Sequence, residues 1–234
     1  MSRTEVLGVG FDAVTMDEAL GRARTLMERR GAYVCTPNPE IVMAARREPE
    51  VMAAVNGADL VLADGVGIVW AAKRFGTPLP GRVAGIDFLA ALLDRMSGTV
   101  YVLGGKPGIA EKAAERIAAA HPNVTVAGTH DGYFTDELAL TAELGQTRPD
   151  LLLVCLGAPK QELWMAAHRD LPVGLMIGLG GAVDVLAGTA ERAPLGWRKH
   201  GLEWLYRLLR QPSRLKRQRN LIGYVWAVIK RKSL

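Results

Sequence analysis

Asp64 closes a short apolar run, Leu60 to Ala63, and is followed at once by Gly65 and Gly67. A carboxylate at the end of a strand-length run, beside glycines that let other groups approach the backbone, has two readings. It caps the helix that follows, or it faces a ligand, since ligands of open parallel sheets bind at such strand ends. Other apolar runs end in the same way. Ala32 to Cys35 runs into Thr36-Pro37-Asn38-Pro39-Glu40, where Asn38 is a good N-cap and Pro39 a good first helical residue. Val100 to Leu103 runs into Gly104-Gly105-Lys106-Pro107-Gly108, a turn whose free N–H groups favour an anion. Leu151 to Leu156 leads to Gly157-Ala158-Pro159-Lys160-Gln161-Glu162, and Met176-Ile177 to a glycine turn ending at Asp184. Asp131-Gly132-Tyr133 either sets a carboxylate on a ribose or base or is an ordinary Asp-Gly turn.

These groups share an edge only if their elements place them there. Strand-like runs also occur at Val6 to Val9, Val124 to Ala127 and Gly174 to Ile177, alternating with helical patterns such as Met16 to Arg30, Pro107 to Ala120 and Leu138 to Gly145. Such alternation predicts an α/β, Rossmann-like, mostly parallel sheet flanked by helices. All the turns above then fall at one end of the sheet. A chain of 234 residues, 49% apolar and 23% charged, supports one substantial core, or one core with an appendage, and excludes disorder throughout.

Cys35 and Cys155 each sit inside an apolar run and form no metal or redox spacing, so they read as buried thiols of a reducing compartment. His121, His130, His168 and His200 show no ligand spacing either, and no metal site is expected. The N-terminus leads straight into a strand pattern with no signal-peptide run, so a cytoplasmic location is expected.

The net charge of +5 conceals an asymmetry: residues 192–234 carry twelve Lys or Arg against Glu203 alone, giving +11, and residues 1–191 carry −6. We therefore expect an acidic core over 1–191 and a basic, amphipathic, helical appendage over 192–234 that meets a polyanion. In the appendage, Leu215, Ile222, Val225, Trp226 and Ile229 lie near one helical face. The apolar run Leu221 to Ile229 is far short of the ~20 residues that span a bilayer, and suits a membrane surface or packing on the body.

The ordered set Thr36-Pro-Asn38-Pro-Glu40, Ala63-Asp64-Gly65-Val-Gly67, Gly81-Arg82-Val-Ala-Gly85, Leu103-Gly104-Gly105, Gly157-Ala-Pro159-Lys160-Gln161-Glu162, Gly180-Gly181-Ala-Val-Asp184, Arg192-Ala-Pro194 and Gly201-Leu-Glu203-Trp204-Leu-Tyr-Arg207 resembles the bacterial WecG/TagA/CpsF glycosyltransferases. The resemblance runs from about Val6 to Arg219. It implies transfer of a sugar, N-acetylmannosamine or a relative, from a UDP-sugar to a polyprenyl-diphosphate-linked sugar. The transfer inverts the anomeric centre and takes place at the inner face of the cytoplasmic membrane. It also implies no metal and no cofactor, in keeping with the absence of a D-x-D triplet.

On this resemblance Asp64 is the general base and Arg82 neutralises the departing diphosphate, while Thr36, Asn38 and Gln161 orient the sugars. Gly104 and Gly105 would lie against the nucleotide, with Asp131 and Tyr133 on ribose or base. Pro159, Lys160, Glu162 and Asp184 complete the substrate-binding set. Arg207, Arg214 and Arg217 would close over the site from the appendage. An anionic membrane surface is the expected partner, nucleic acid is not, and a homo-oligomer is compatible with the sequence. Two rival readings stay open here: an NAD-type oxidoreductase using Gly104 to Gly108 and Asp131, and a nucleic-acid-binding protein acting through the tail.

Overall fold

The computed structural model of the protein describes residues 3–199, 201, 203–210 and 215–231, without the side chains of 199, 207, 208 and 215–220. The chain opens with β1 (Arg3–Val6), β2 (Val9–Asp12) and α1 (Met16–Arg29). Strand β3 (Ala32–Cys35) leads to α2 (Pro39–Ala45) and α3 (Pro49–Asn56), and β4 (Leu60–Val61) to α4 (Val66–Arg74) and α5 (Gly85–Leu93). Then follow β5 (Gly98–Gly104), α6 (Ile109–Ala120), β6 (Val124–His130), α7 (Glu137–Thr147), β7 (Leu151–Cys155), α8 (Lys160–Ala167), β8 (Leu175–Gly178) and α9 (Ala182–Leu186). Helices α10 (Leu195–Lys199), α11 (Glu203–Arg210) and α12 (Leu215–Lys230) make up the C-terminal segment.

Strands β3 to β8 form one six-stranded sheet in the order β4-β3-β8-β7-β5-β6, parallel at every pairing. Successive side chains of a strand point to opposite faces. Val34, Val102, Leu153 and Ile177 therefore enter the core under α1, α5, α6 and α9. Tyr33, Cys35, Leu103, Val154 and Met176 enter the other core, under α2, α3, α8 and α12. Burial on both faces is why these strands read as unbroken apolar runs. Cys35 and Cys155 lie inside this packing, where burial pushes the Cys155 thiol up to about 12 and that of Cys35 well above its ordinary value.

The run Val6 to Val9 departs from expectation. It is the corner of an antiparallel hairpin, β1 with β2, turned at Leu7 (φ 54°) and Gly8 (φ 93°). The run stays apolar through the turn because Val6, Leu7 and Val9 are all buried.

Two neighbouring strand pairs send their connections in opposite directions. From β5 the chain goes outward to β6, whereas from β7 it goes inward to β8. From β3 it goes outward to β4, whereas α9, after β8, packs on α6 toward the other side. Each divergence opens a crevice at the carboxyl ends of the strands, which is where open α/β sheets bind ligands.

Candidate active site

The first crevice gathers Thr36, Asn38, Asp64 and Arg82. Ladder bonding of β4 to β3 ends at Val61, yet Leu62 N–H still donates to Cys35 O (2.9 Å) and Asp64 N–H to Pro37 O (3.2 Å), which fixes Asp64 beside the turn after β3. Of the two readings of Asp64, capping of the helix that follows is not what the structure shows. Helix α4 begins after Gly65 with no side-chain cap, and the Asp64 carboxylate turns instead to the first residue of α5, with Oδ2 at 3.5 Å from Gly85 N. Gly65, at φ 122°, is what lets the chain turn away and leave the carboxylate on the crevice.

Gly85 sits between Asp64 and Thr36: a Cβ there would lie 3.1 Å from the Thr36 hydroxyl. Thr36 itself is buried and donates to Gly178 O at 2.9 Å, tying the tips of β3 and β8 together. Asn38 caps α2 as its position predicts, its Oδ1 accepting from Glu40 N (2.9 Å) and Ile41 N (3.1 Å), while its NH2 takes no part in the cap.

Arg82 stands over Asp64, its Nη2 at 3.6 Å from Oδ1. The same nitrogen donates to Glu203 Oε2 at 3.0 Å, so a residue of α11 reaches the strand edge. Arg192 grips Asp87 with two parallel contacts of 2.7 and 2.8 Å and places its Nε 3.9 Å from Glu203 Oε1. Burial works against the charge on Arg82, but Asp64, Glu203 and Asp87 outweigh it and hold its pKa above the ordinary value. Burial likewise opposes ionisation of Asp87, and Arg192, Arg82 and Arg198 overcome it to hold that carboxyl below its usual range. Sequence reasoning missed Asp87, Arg192 and Glu203 as parts of the site. Glu203 is signalled by being an acid alone among the cations of the tail, and Arg192 and Glu203 stand in motifs that carry the family resemblance, whereas Asp87 has neither mark.

The second crevice lies between β5 and β7. Gly104 (φ 128°) passes so close to Cys155 that a Cβ would overlap the Cys155 carbonyl carbon at 2.4 Å, so only glycine fits. Gly105 N–H bonds Cys155 O (3.3 Å), Gly132 N–H bonds Gly105 O (2.8 Å), and Lys160 Nζ reaches Gly132 O (3.4 Å). Thus the glycine turn, the Asp131–Tyr133 turn and Lys160 meet at the carboxyl end of β5. Asp131 Oδ1 accepts from Tyr133 N at 2.7 Å, the ordinary-turn reading of that pair, and the Tyr133 ring is 67% exposed. Pro159 precedes α8 after a cis peptide bond. Asp184 binds Thr189 and Ala190 through its main-chain oxygen.

Gln161 links the two crevices from beneath. Its Oε1 accepts from Gly180 N (2.8 Å) and its Nε2 donates to Glu162 Oε1 (2.8 Å), so the amide is clamped at both ends. Glu162 is 0% exposed, its Oε2 has no partner, and burial pushes its carboxyl pKa up. Being fully buried, it does not line either crevice as the substrate-binding expectation had it, and its side chain meets Gln161 instead. An acid whose folded pKa is raised keeps a proton that the unfolded chain releases above about pH 4.3. Stability therefore falls as pH rises from there toward the folded pKa. Glu162→Gln keeps the acceptor for Gln161 and removes this penalty. Its melting temperature is expected to exceed the parent's by more at pH 8 than at pH 5, and equal offsets in the two melts would contradict the raised pKa.

A carboxylate beside an arginine at one crevice and a glycine cradle with a lysine at the next suit group transfer between two bound substrates. The sequence model of the glycosyl transferase WecG/TagA/CpsF family matches residues 4–234. The chain belongs to that family. Among its relatives is the N-acetylglucosaminyldiphosphoundecaprenol N-acetyl-beta-D-mannosaminyltransferase of Bacillus spizizenii, 36% identical over 209 residues, covering 88% of this chain and 81% of the relative. The protein of the same name from Bacillus subtilis is 32% identical over 207 residues, covering 87% and 81%.

In this WecG/TagA/CpsF glycosyltransferase the C-terminal segment is part of the site's architecture. Tyr224 and Val228, one helical turn apart, are fully buried against the body, and Tyr224 Oη donates to Gly67 O (3.0 Å), three residues beyond Asp64. Burying two such side chains stabilises docking by about 1.5–3 kcal/mol each. That outweighs the exposed Arg231–Glu5 ion pair (3.0 Å), a type that contributes about 0–1 kcal/mol. On the opposite side of α12, Ile222, Val225, Trp226 and Ile229 follow the i, i+3, i+4, i+7 spacing and are all exposed. Arg214 and the side chains of Arg207 and Arg217 lie outside the described residues. No helix among the described residues is long and apolar enough to cross a membrane.

Proposed function

We propose that the protein is an inverting, metal-independent glycosyltransferase that moves N-acetylmannosamine or a related hexose from a UDP-sugar to a polyprenyl-diphosphate-linked sugar in cell-surface polysaccharide synthesis. The observation that carries this reading is the Asp64–Arg82 pair on the carboxyl edge of the sheet, held from the C-terminal segment by Glu203. The names of the two relatives supply the acceptor class and the sugar. The donor nucleotide lies on Gly104, Gly105, Lys160 and the Asp131–Tyr133 turn. The acceptor sugar lies by Thr36, Asn38 and Asp64.

In the reaction, an acceptor hydroxyl oxygen attacks the anomeric carbon from the face opposite UDP. Its proton passes to the Asp64 carboxylate, and the carbon–oxygen bond to the β-phosphate breaks with its electrons going to UDP. Arg82, Lys160 and the tail arginines stabilise the phosphate charge, the part a divalent cation would otherwise take. The exposed face of α12, with the basic residues around it, rests on the anionic inner surface of the cytoplasmic membrane and brings the site to the lipid-linked acceptor.

A panel of UDP-sugars offered with polyprenyl-diphosphate-N-acetylglucosamine tests the proposal. We expect a disaccharide-lipid product from a UDP-N-acetylhexosamine, formed equally well with and without EDTA. Donor hydrolysis with no lipid-linked product would leave the transferase reading without support, and loss of product in EDTA would remove its metal independence.

A further inference from the structure

Glu203 stands alone as an acid among the twelve Lys and Arg that follow residue 191, yet it is 7% exposed and its carboxylate lies against the strand edge. The chain before it is pinned close to Asp64. Gly201 adopts φ 71°, and a Cβ there would overlap Val66 Cγ1 at 2.5 Å, so this turn packs on the residue two beyond Asp64. One nitrogen, Arg82 Nη2, then faces two carboxylates at unequal range: 3.0 Å to Glu203 Oε2 and 3.6 Å to Asp64 Oδ1. The shorter contact is a charge-assisted hydrogen bond, and the longer is not a hydrogen bond.

We propose that Glu203 is a positioning residue for the transfer reaction: by holding Arg82 it keeps the guanidinium from closing on Asp64, leaves Asp64 able to take the acceptor proton, and does so only when the C-terminal segment is docked. This rests on the role given to Asp64 above. An arginine that bonds fully to an aspartate lowers its proton affinity by about 1–3 pKa units and makes it a poorer base. Without Glu203, Arg82 is free to make that bond, and a like charge near Asp64 is also lost. Both changes act in one direction.

Among the described residues, the charged groups around this centre are Arg82, Asp64, Glu203, Asp87, Arg192 and Arg198. Arg82 faces Asp64, Glu203 and Asp87; Glu203 faces Arg82 and Arg192; Asp87 faces Arg192, Arg82 and Arg198. Among the described side chains of α12, the neighbouring titratable group is the Tyr224 hydroxyl, bonded to Gly67 O, whose pKa burial raises.

The test is the pH dependence of kcat for full-length parent, Glu203→Gln and Glu203→Asp, with saturating UDP-sugar and polyprenyl-diphosphate-linked acceptor. In Glu203→Gln the acid limb is expected to move down by about one pH unit, with kcat on the plateau falling roughly threefold to tenfold and donor KM little changed. Glu203→Asp, whose shorter side chain loosens the grip on Arg82, should move the limb in the same direction by less, and it decides the question if Glu203→Gln does not fold. An acid limb that stays in place in the folded variants overturns the proposal whatever happens to kcat, because a merely structural role would lower activity without moving it. Undiminished transfer by Asp64→Asn would instead sink the underlying reading of the base.

Discussion

Asp64→Asn is expected to reduce kcat for sugar transfer by about 10²–10⁴-fold while leaving UDP-sugar binding and the melting temperature close to the parent's. The size follows from the chemistry: asparagine has the shape of aspartate but cannot accept the acceptor's proton. The structural effect is small because the contacts of Asp64 with Arg82 (3.6 Å) and Gly85 N (3.5 Å) are long and the side chain is 31% exposed. Ion pairs of that kind contribute about 0–1 kcal/mol. Isothermal titration with UDP-sugar beside a lipid-product assay separates the two effects. A variant that binds donor and still turns over would take the base role away from Asp64.

Arg82→Ala is expected to lower kcat by about 10²–10³-fold, the scale seen when a preorganised donor to developing charge is removed. Unlike Asp64→Asn it also destabilises the fold, by about 1.5–3 kcal/mol, because it breaks a charge-assisted hydrogen bond to the buried Glu203. Arg192, 3.9 Å from the other Glu203 oxygen, limits that loss. Adding Glu203→Gln to Arg82→Ala should therefore restore part of the stability and none of the activity, since residues in one network are not additive. Arg82→Lys should recover little, because an ammonium gathers its donors on one nitrogen and lacks the planar fork whose separate nitrogens span a carboxylate and a phosphate. Additive stability losses in the double variant would mean that Arg82 and Glu203 do not act on each other.

The sheet was legible because strands buried on both faces leave continuous apolar runs, and a parallel sheet puts the turns that follow them at one edge. That is how Thr36, Asp64, Gly104 and Gln161 can be placed near one another from sequence. Local pattern fails where the partner is distant in the chain. Asp64 turns to α5 and not to α4, because the backbone bond to Pro37 and the φ of Gly65 set its direction. The Arg82–Glu203 contact spans 121 residues and leaves no local trace.

Glu162 was within reach of a periodicity argument. It lies three residues before the fully buried Met165, on the inner face of α8. Helix α12 shows why one amphipathic stripe misleads. The residues at 222, 225, 226 and 229 form the evident apolar face and point outward, while Tyr224 and Val228 make a second, narrower face that docks.

The most direct test of the central claim, that Asp64 promotes attack opposite the UDP group at this sheet edge, is the anomeric configuration of the lipid-linked product made from an α-linked UDP-sugar. NMR of the released disaccharide is expected to show a β-linkage. An α-linkage would contradict single displacement by an acceptor hydroxyl activated at Asp64.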